Sequence, residues 1–176
     1  MYSVLYPDFL AKDDFKYEKP IANGICKLIK YDAKKSNEIP DEIWNKADAL
    51  VTGLYMKIDE SLIPKLKACK IITRMGVGYD LINEVACGES GIVVCNVPDY
   101  GTYEVADHAI SLIMNFVRGI SEYDRLLKES INNNWHHSSV PSIDRVVQKK
   151  LGIIGLGRIG TAFALRAKAF GFDISS

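Results

Sequence analysis

One glycine-rich turn restricts the possible folds of this chain more than any other feature of its sequence. Gly155, Gly157 and Gly160 have the spacing G-x-G-x-x-G, between an apolar run at 149–154 and an amphipathic stretch at 158–170. In this context the first glycine permits a tight turn, the second lets backbone approach a pyrophosphate, and the third allows close helix packing. Free N–H groups at the start of the helix favour an anion. The pattern predicts a dinucleotide-binding turn, although a turn without a ligand can have the same spacing.

Upstream of this turn, short apolar runs alternate with stretches of helical period. Strands are predicted at 3–6, 25–30, 48–52, 70–74 and 92–96, and helices at 59–68 and about 82–90. Strands that alternate with helices indicate βαβ units and a parallel sheet with helices on both faces. The predicted fold class is therefore α/β. Residues 1–99 are interpreted as one doubly wound domain and residues 100–176 as a second, incomplete domain.

Apolar residues recur at spacings of three and four from Thr102 to Ser130. This period predicts one long helix, with Gly119 as the candidate position of a bend or break. A helix of this length is expected to span two domains or to pack in a subunit interface. The polar stretch 132–142 is predicted to be a loop.

A second glycine bend follows the strand predicted at 70–74. Gly76 and Gly78 flank Val77, and two such glycines let consecutive backbone N–H groups converge on a carboxylate. Ligands of open α/β sheets gather beyond the carboxyl ends of the strands, where this bend must lie. Taken alone, the same sequence more often forms a plain turn between a strand and a helix.

Charge and cysteine content exclude several classes of function. Lysine plus arginine (22) balances aspartate plus glutamate (22), so no electrostatic feature indicates a nucleic acid or a membrane surface as partner. The four cysteines form no C-x-x-C pair, which predicts free thiols and no metal site. No run approaches about 18 apolar residues, and acidic residues come too early for a signal peptide. We therefore expect a cytoplasmic protein.

The two bends and the segment after the first of them resemble the D-isomer-specific 2-hydroxyacid dehydrogenase family. RMGVGYDLINEVACGESGIVVCNVPDYGTYEVADHAISL is similar to that family's substrate-loop, strand and interdomain-helix region, and GLGRIG resembles its cofactor turn. Within the family, VPDYGTYEVADHA is most similar to the branch of the C-terminal-binding-protein type dehydrogenases. The resemblance implies a flavodoxin-like substrate domain at 1–99, followed by the first part of a Rossmann dinucleotide-binding domain at 100–176.

The resemblance also implies roles for individual residues. Backbone N–H groups of Gly76, Val77 and Gly78 would hold the substrate carboxylate, and Leu54 and Tyr55 are weaker candidates for contact with the substrate. The implied cofactor is NAD, with NADP as the alternative. Its implied contacts are Val77, Thr102, Gly155, Leu156, Gly157, Arg158, Ile159 and Gly160.

The function implied by the resemblance is hydride transfer between nicotinamide and a 2-hydroxy or 2-keto acid, in a homodimer formed through the long helix. The family's catalytic arginine, glutamate and histidine are expected beyond residue 176, and none of His108, His136 and His137 matches that histidine. We therefore expect the chain alone to be inactive and to bind NADH weakly. Two alternatives stay open: a dehydrogenase-like binding or regulatory protein that senses the dinucleotide without turnover, and an adenosylhomocysteinase-like hydrolase.

Overall fold

The computed structural model describes residues 1–9, 14–129, 143 and 145–176. These residues fall into two units, Met1–Tyr100 and Gly101–Ser176. The loop predicted at 132–142 lies outside the described residues.

Five parallel strands form the sheet of the first unit. They are β1 (Tyr2–Tyr6), β2 (Cys26–Lys30), β3 (Ala49–Thr52), β4 (Ile71–Arg74) and β5 (Val93–Cys95). Their order in the sheet is β2-β1-β3-β4-β5, which is the flavodoxin-like order of a doubly wound fold. The predicted α/β class is confirmed, and each strand lies within one residue of its predicted bounds.

Short helices connect these strands. They are α1 (Glu18–Ala22), α2 (Asp41–Lys46) and α3 (Glu84–Glu89), with 3-10 helices at Ser36–Glu38 and Ile63–Lys65. The Asn83 side chain caps α3 by accepting a hydrogen bond from the Ala86 N–H at 3.0 Å. The α-helix predicted at 59–68 is wrong, because this segment contains the 3-10 helix instead. Pro64 explains the difference, since its ring removes an N–H and clashes with the carbonyl four residues earlier.

The main core of the first unit covers one face of the sheet. Trp44, Leu50 and Ile72 are fully buried in it, and the Trp44 indole N–H donates to the Ser36 carbonyl at 3.1 Å. On the opposite face, a smaller aromatic cluster contains Tyr6, Phe9 and Phe15. Ile71 and Val93, which pair across β4 and β5 on that second face, are 38% and 58% exposed.

The second unit begins with two helices, α4 (Thr102–Val117) and α5 (Ile120–Glu129). The single helix predicted over 102–130 is therefore divided, and the division falls at Gly119, whose φ is +60°. Parallel strands β6 (Lys150–Gly152) and β7 (Asp173–Ser175) are joined by α6 (Arg158–Ala169). Ile110, Val117, Ala167 and Phe172 form the buried core of this unit. Among the described residues, no helix has both the length and the apolar character needed to cross a membrane.

All four cysteines are free thiols, and Cys69 and Cys87 are buried. Burial raises the pKa of the Cys69 thiol to about 11. Since the thiolate is the reactive form, iodoacetamide at pH 8 is expected to alkylate Cys69 at least about tenfold more slowly than the half-buried Cys26. Mass spectrometry of samples quenched at intervals measures both rates. In concentrated urea the two rates should converge, whereas equal rates in the folded protein would contradict this assignment.

Candidate functional site

Three hydrogen bonds shape the glycine bend that follows β4. The Gly76 N–H donates to the Arg74 carbonyl at 2.8 Å, and the Gly76 carbonyl accepts from the Val97 N–H at 3.0 Å. The Val77 carbonyl accepts from Asn96 Nδ2 at 2.8 Å. By contrast, the N–H groups of Val77 and Gly78 make no hydrogen bond to any described residue, and both residues are exposed. The bend therefore leaves two consecutive amides free for an anion.

Arg74, the last residue of β4, lies against this bend. Gly76 has φ +152°, and a Cβ at this position would overlap Nη1 of Arg74. The same nitrogen donates to the Met75 carbonyl at 2.7 Å, which fixes the half-buried guanidinium. The positive charge of Arg74 therefore lies against Gly76, the residue before the two free amides. Arg74 is not among the site residues predicted from the sequence, although its position two residues before Gly76 is a readable signal.

A cavity of about 180 Å³ lies at the carboxyl ends of β3 and β4. Its lining includes Thr52, Gly53 and Met56 from the end of β3 and the segment after it, and Arg74, Gly78 and Asp80 from the end of β4 and the bend after it. The Thr52 side chain is 2% exposed, and its Oγ1 has no hydrogen-bond partner among the described residues. The volume is below that of pockets for drug-sized ligands, so the cavity suits a small polar molecule.

Leu54 and Tyr55, the weaker candidates for substrate contact, belong to the segment that follows β3. Their side chains are 53% and 47% exposed. The Tyr55 ring lies 5.9 Å from the ammonium nitrogen of Lys34. Neither side chain lines the cavity, whereas their chain neighbours Gly53 and Met56 do.

The second glycine turn joins β6 to α6. Gly155 has φ +95°, and a Cβ on Gly160 would overlap the Gly155 carbonyl oxygen and lie 3.1 Å from its carbon. A Cβ on Gly157 would meet nothing within 4 Å. Close packing therefore requires glycine at 160, whereas the glycine at 157 leaves open space before the first turn of α6. Leu156 and Ile159 are 53% and 41% exposed around this space.

This open turn fits the pyrophosphate of a dinucleotide. The backbone of Gly157 can be approached without a side chain in the way, and α6, a helix of 12 residues, begins at Arg158. The first N–H groups of a helix have no acceptor within the helix, and the helix dipole favours negative charge there. Of the other expected cofactor contacts, Thr102 is the first residue of α4, and Val77 is an exposed residue of the first unit, in the bend after β4.

The structure describes one of the three histidines. His108 is exposed on α4. Its neighbour Asp107 pairs with Arg166 of α6, so this part of α4 is used to join two helices. His136 and His137 lie outside the described residues.

Together these features define a class: an α/β protein with unbonded backbone amides in a bend at the carboxyl end of a parallel strand and an open glycine turn before a helix. Comparison with known proteins makes the assignment specific. Residues 10–169 match the family described as D-isomer specific 2-hydroxyacid dehydrogenase, catalytic domain. The chain belongs to this family.

Two relatives and one solved structure illustrate the match. C-terminal-binding protein 1 of Caenorhabditis elegans is 32% identical over 164 residues, which are 92% of this chain and 23% of the relative. Glyoxylate/hydroxypyruvate reductase A HPR2 of Arabidopsis thaliana is 39% identical over 131 residues, 74% of this chain and 41% of the relative. D-lactate dehydrogenase from Aquifex aeolicus, solved with NAD and lactic acid, has a TM-score of 0.81 at 26% identity, over 97% of this chain and 50% of that one. The chain thus spans half the length of these proteins or less.

Proposed function

We propose that this chain is the N-terminal portion of an NAD-dependent oxidoreductase that transfers a hydride between nicotinamide and a 2-hydroxy or 2-keto acid. The chain's family and the open turn at Gly157 support the proposal. A nicotinamide dinucleotide would supply the hydride acceptor or donor when bound. NAD is the first candidate and NADP the second. In this proposal, Gly155, Gly157 and the first amides of α6 hold the pyrophosphate, with Thr102, Leu156, Arg158, Ile159 and Gly160 around the cofactor.

One observation carries the proposed substrate class, namely the two free amides of Val77 and Gly78 beside the Arg74 guanidinium. An ionised carboxylate only accepts hydrogen bonds, so two N–H donors and a cation complement it. The adjoining small cavity would receive the rest of a short acid.

We also propose that the chain alone does not catalyse this hydride transfer. Transfer of a hydride from an alcohol also requires a group that takes up the hydroxyl proton. The first unit contains no histidine in its sequence, and His108 is exposed on α4. The chain would therefore bind and orient an acid without completing the reaction.

We place a homodimer contact on α4 as a further part of the proposal. Leu112 and Phe116 lie one turn apart on this helix and are 57% and 72% exposed. Exposed apolar side chains of this size on one helix face are typical of contacts between subunits. A cytoplasmic location agrees with four free thiols.

An NMR titration tests the acid site directly. Oxamate, which resembles pyruvate but is not reducible, is added to ¹⁵N-labelled protein, and saturable shifts are expected at the Val77 and Gly78 amides. Arg74→Gln should weaken the oxamate affinity by about tenfold, because a charge-assisted contact is lost. Lys70→Gln, which removes an exposed positive charge from the residue before the same strand begins, is the matched control and should leave the affinity unchanged. Shifts confined to other amides would contradict the assignment.

A further inference from the structure

Asp8 is a fully buried carboxylate in the first unit, two residues beyond the end of β1. Its side chain is 0% exposed, and no lysine or arginine in the described part of the chain forms an ion pair with it. Oδ1 accepts a hydrogen bond from the Gly53 N–H at 2.7 Å. Oδ2 accepts from the N–H groups of Tyr55 at 2.8 Å and Met56 at 2.9 Å. A buried charge is costly unless it is hydrogen-bonded, so these three amides account for its stability in the core.

The position of Asp8 in the topology is unusual for a structural carboxylate. In the order β2-β1-β3-β4-β5, β1 and β3 are the neighbours at which the direction of strand addition reverses. Ligands of open α/β sheets bind in the crevice beyond the carboxyl ends of the strands at this point. Here the Asp8 side chain, which follows β1, occupies the crevice and takes the three amides that follow β3. An external anion would find these donors already bonded.

Backbone packing reinforces this arrangement. A Cβ on Gly53 would lie 2.7 Å from the Asp8 carbonyl oxygen and 3.2 Å from Oδ2. The glycine therefore allows a contact that any side chain would prevent. Beyond it, the Thr52 carbonyl accepts from the Met75 N–H at 2.9 Å, which links the end of β3 to the residue before the Gly76 bend.

The segment held by Asp8 forms one wall of the acid cavity. Gly53 and Met56 line the cavity together with Arg74 and Gly78, and their amides are two of the three bonded to Asp8. We propose that Asp8 is a positioning residue, whose carboxylate fixes the 53–56 segment so that the acid cavity is formed before the acid arrives. This inference rests on the proposed function, because it assigns Asp8 a role in acid binding at that same site.

The test compares two carboxylate-to-amide variants in the full chain, with oxamate as the probe. Asp8→Asn keeps the shape but loses one of the two acceptor oxygens. It should weaken oxamate binding by about tenfold, as expected when hydrogen bonds to a charged group are lost. Amide hydrogen exchange at Tyr55 and Met56 should become faster at the same time. The matched control is Asp32→Asn, an exposed carboxylate whose backbone pairs with that of Asp8; it should leave the oxamate affinity within about twofold.

Each outcome decides a different statement. If wild type gives no oxamate response at Val77 and Gly78, the proposed acid site fails and the role of Asp8 fails with it. If wild type binds and Asp8→Asn binds equally well, only the positioning role is overturned, even when the variant unfolds at lower urea concentration. If Asp8→Asn does not fold, hydrogen exchange in wild type decides: the Gly53, Tyr55 and Met56 amides must be protected without oxamate and equally protected with it. If these amides became protected only when oxamate is present, the proposal that the acid cavity forms before the acid binds would be overturned.

Discussion

Gly160→Ala is expected to destabilise the second unit by about 2–3 kcal/mol, because the added methyl group would overlap the carbonyl oxygen of Gly155. This oxygen belongs to the backbone of a turn with φ +95°, so it cannot move aside in the way a flexible side chain would. Helix α6 must shift away from the turn instead. Native-state hydrogen exchange of the α6 amides measures how much stability this helix loses in the variant.

Gly157→Ala provides the matched comparison in the same turn. A Cβ there meets nothing within 4 Å in the protein, so the protection of the α6 amides should be unchanged. The methyl group would nevertheless occupy the space proposed for the pyrophosphate, and NADH binding, measured by fluorescence, should fall by at least about tenfold. If Gly157→Ala bound NADH like wild type, the open turn would not be the pyrophosphate site. If Gly160→Ala left α6 fully protected, the close contact with Gly155 would be disproved.

Gly76→Ala is the second substitution with a large expected effect. The native φ of +152° is unfavourable for alanine, which costs about 1–3 kcal/mol, and the methyl group must also displace the Arg74 guanidinium. The free energy of unfolding in urea should fall by at least that amount. Oxamate affinity should fall with it, because both the bend and the cation move.

Gly88→Ala is the control for this second substitution. Gly88 lies inside α3, has no positive φ, and has open space where a Cβ would be placed. Alanine in a helix interior is more stable than glycine by about 0.5–1 kcal/mol, so this variant should be neutral or more stable. Equal stability losses in Gly76→Ala and Gly88→Ala would show that the bend does not depend on its glycine.

Most of the fold could be predicted from local sequence patterns. The strands were predictable because short runs such as DALVT and IVVCN are rich in β-branched residues and end at turn residues. The helix predicted at 59–68 is wrong because the helical spacing of its apolar residues takes no account of Pro64, which is incompatible with the interior of an α-helix. In the long helical region the period continued on both sides of Gly119, and the backbone at that glycine divides it into α4 and α5.

The site was only partly predictable. The two glycine spacings indicate where backbone amides converge, because the conformation of each turn depends on the glycines within it. Asp8 could not be found in this way. Its partners are 45 to 48 residues away, and they meet because β1 and β3 are neighbours in the sheet, which no local pattern in the sequence specifies. Arg74 could have been predicted as a site residue from its position next to the bend. Its contact with Gly76, however, depends on the conformation of the arginine side chain.

The buried carboxylate of Asp8 also bears on which anions each unit of the chain could bind. A doubly wound sheet with this strand order has a natural receptor for a phosphate-bearing ligand between its first and third strands. In the first unit that receptor is permanently filled by an internal anion, Asp8, while the turn before α6 in the second unit stays open at Gly157. Under the proposed function, Asp8 would keep a phosphate out of this crevice, and the neighbouring cavity would bind a short acid instead. In that proposal the two units bind different anions because Asp8 fills the crevice of the first, whereas the turn at Gly157 in the second stays open.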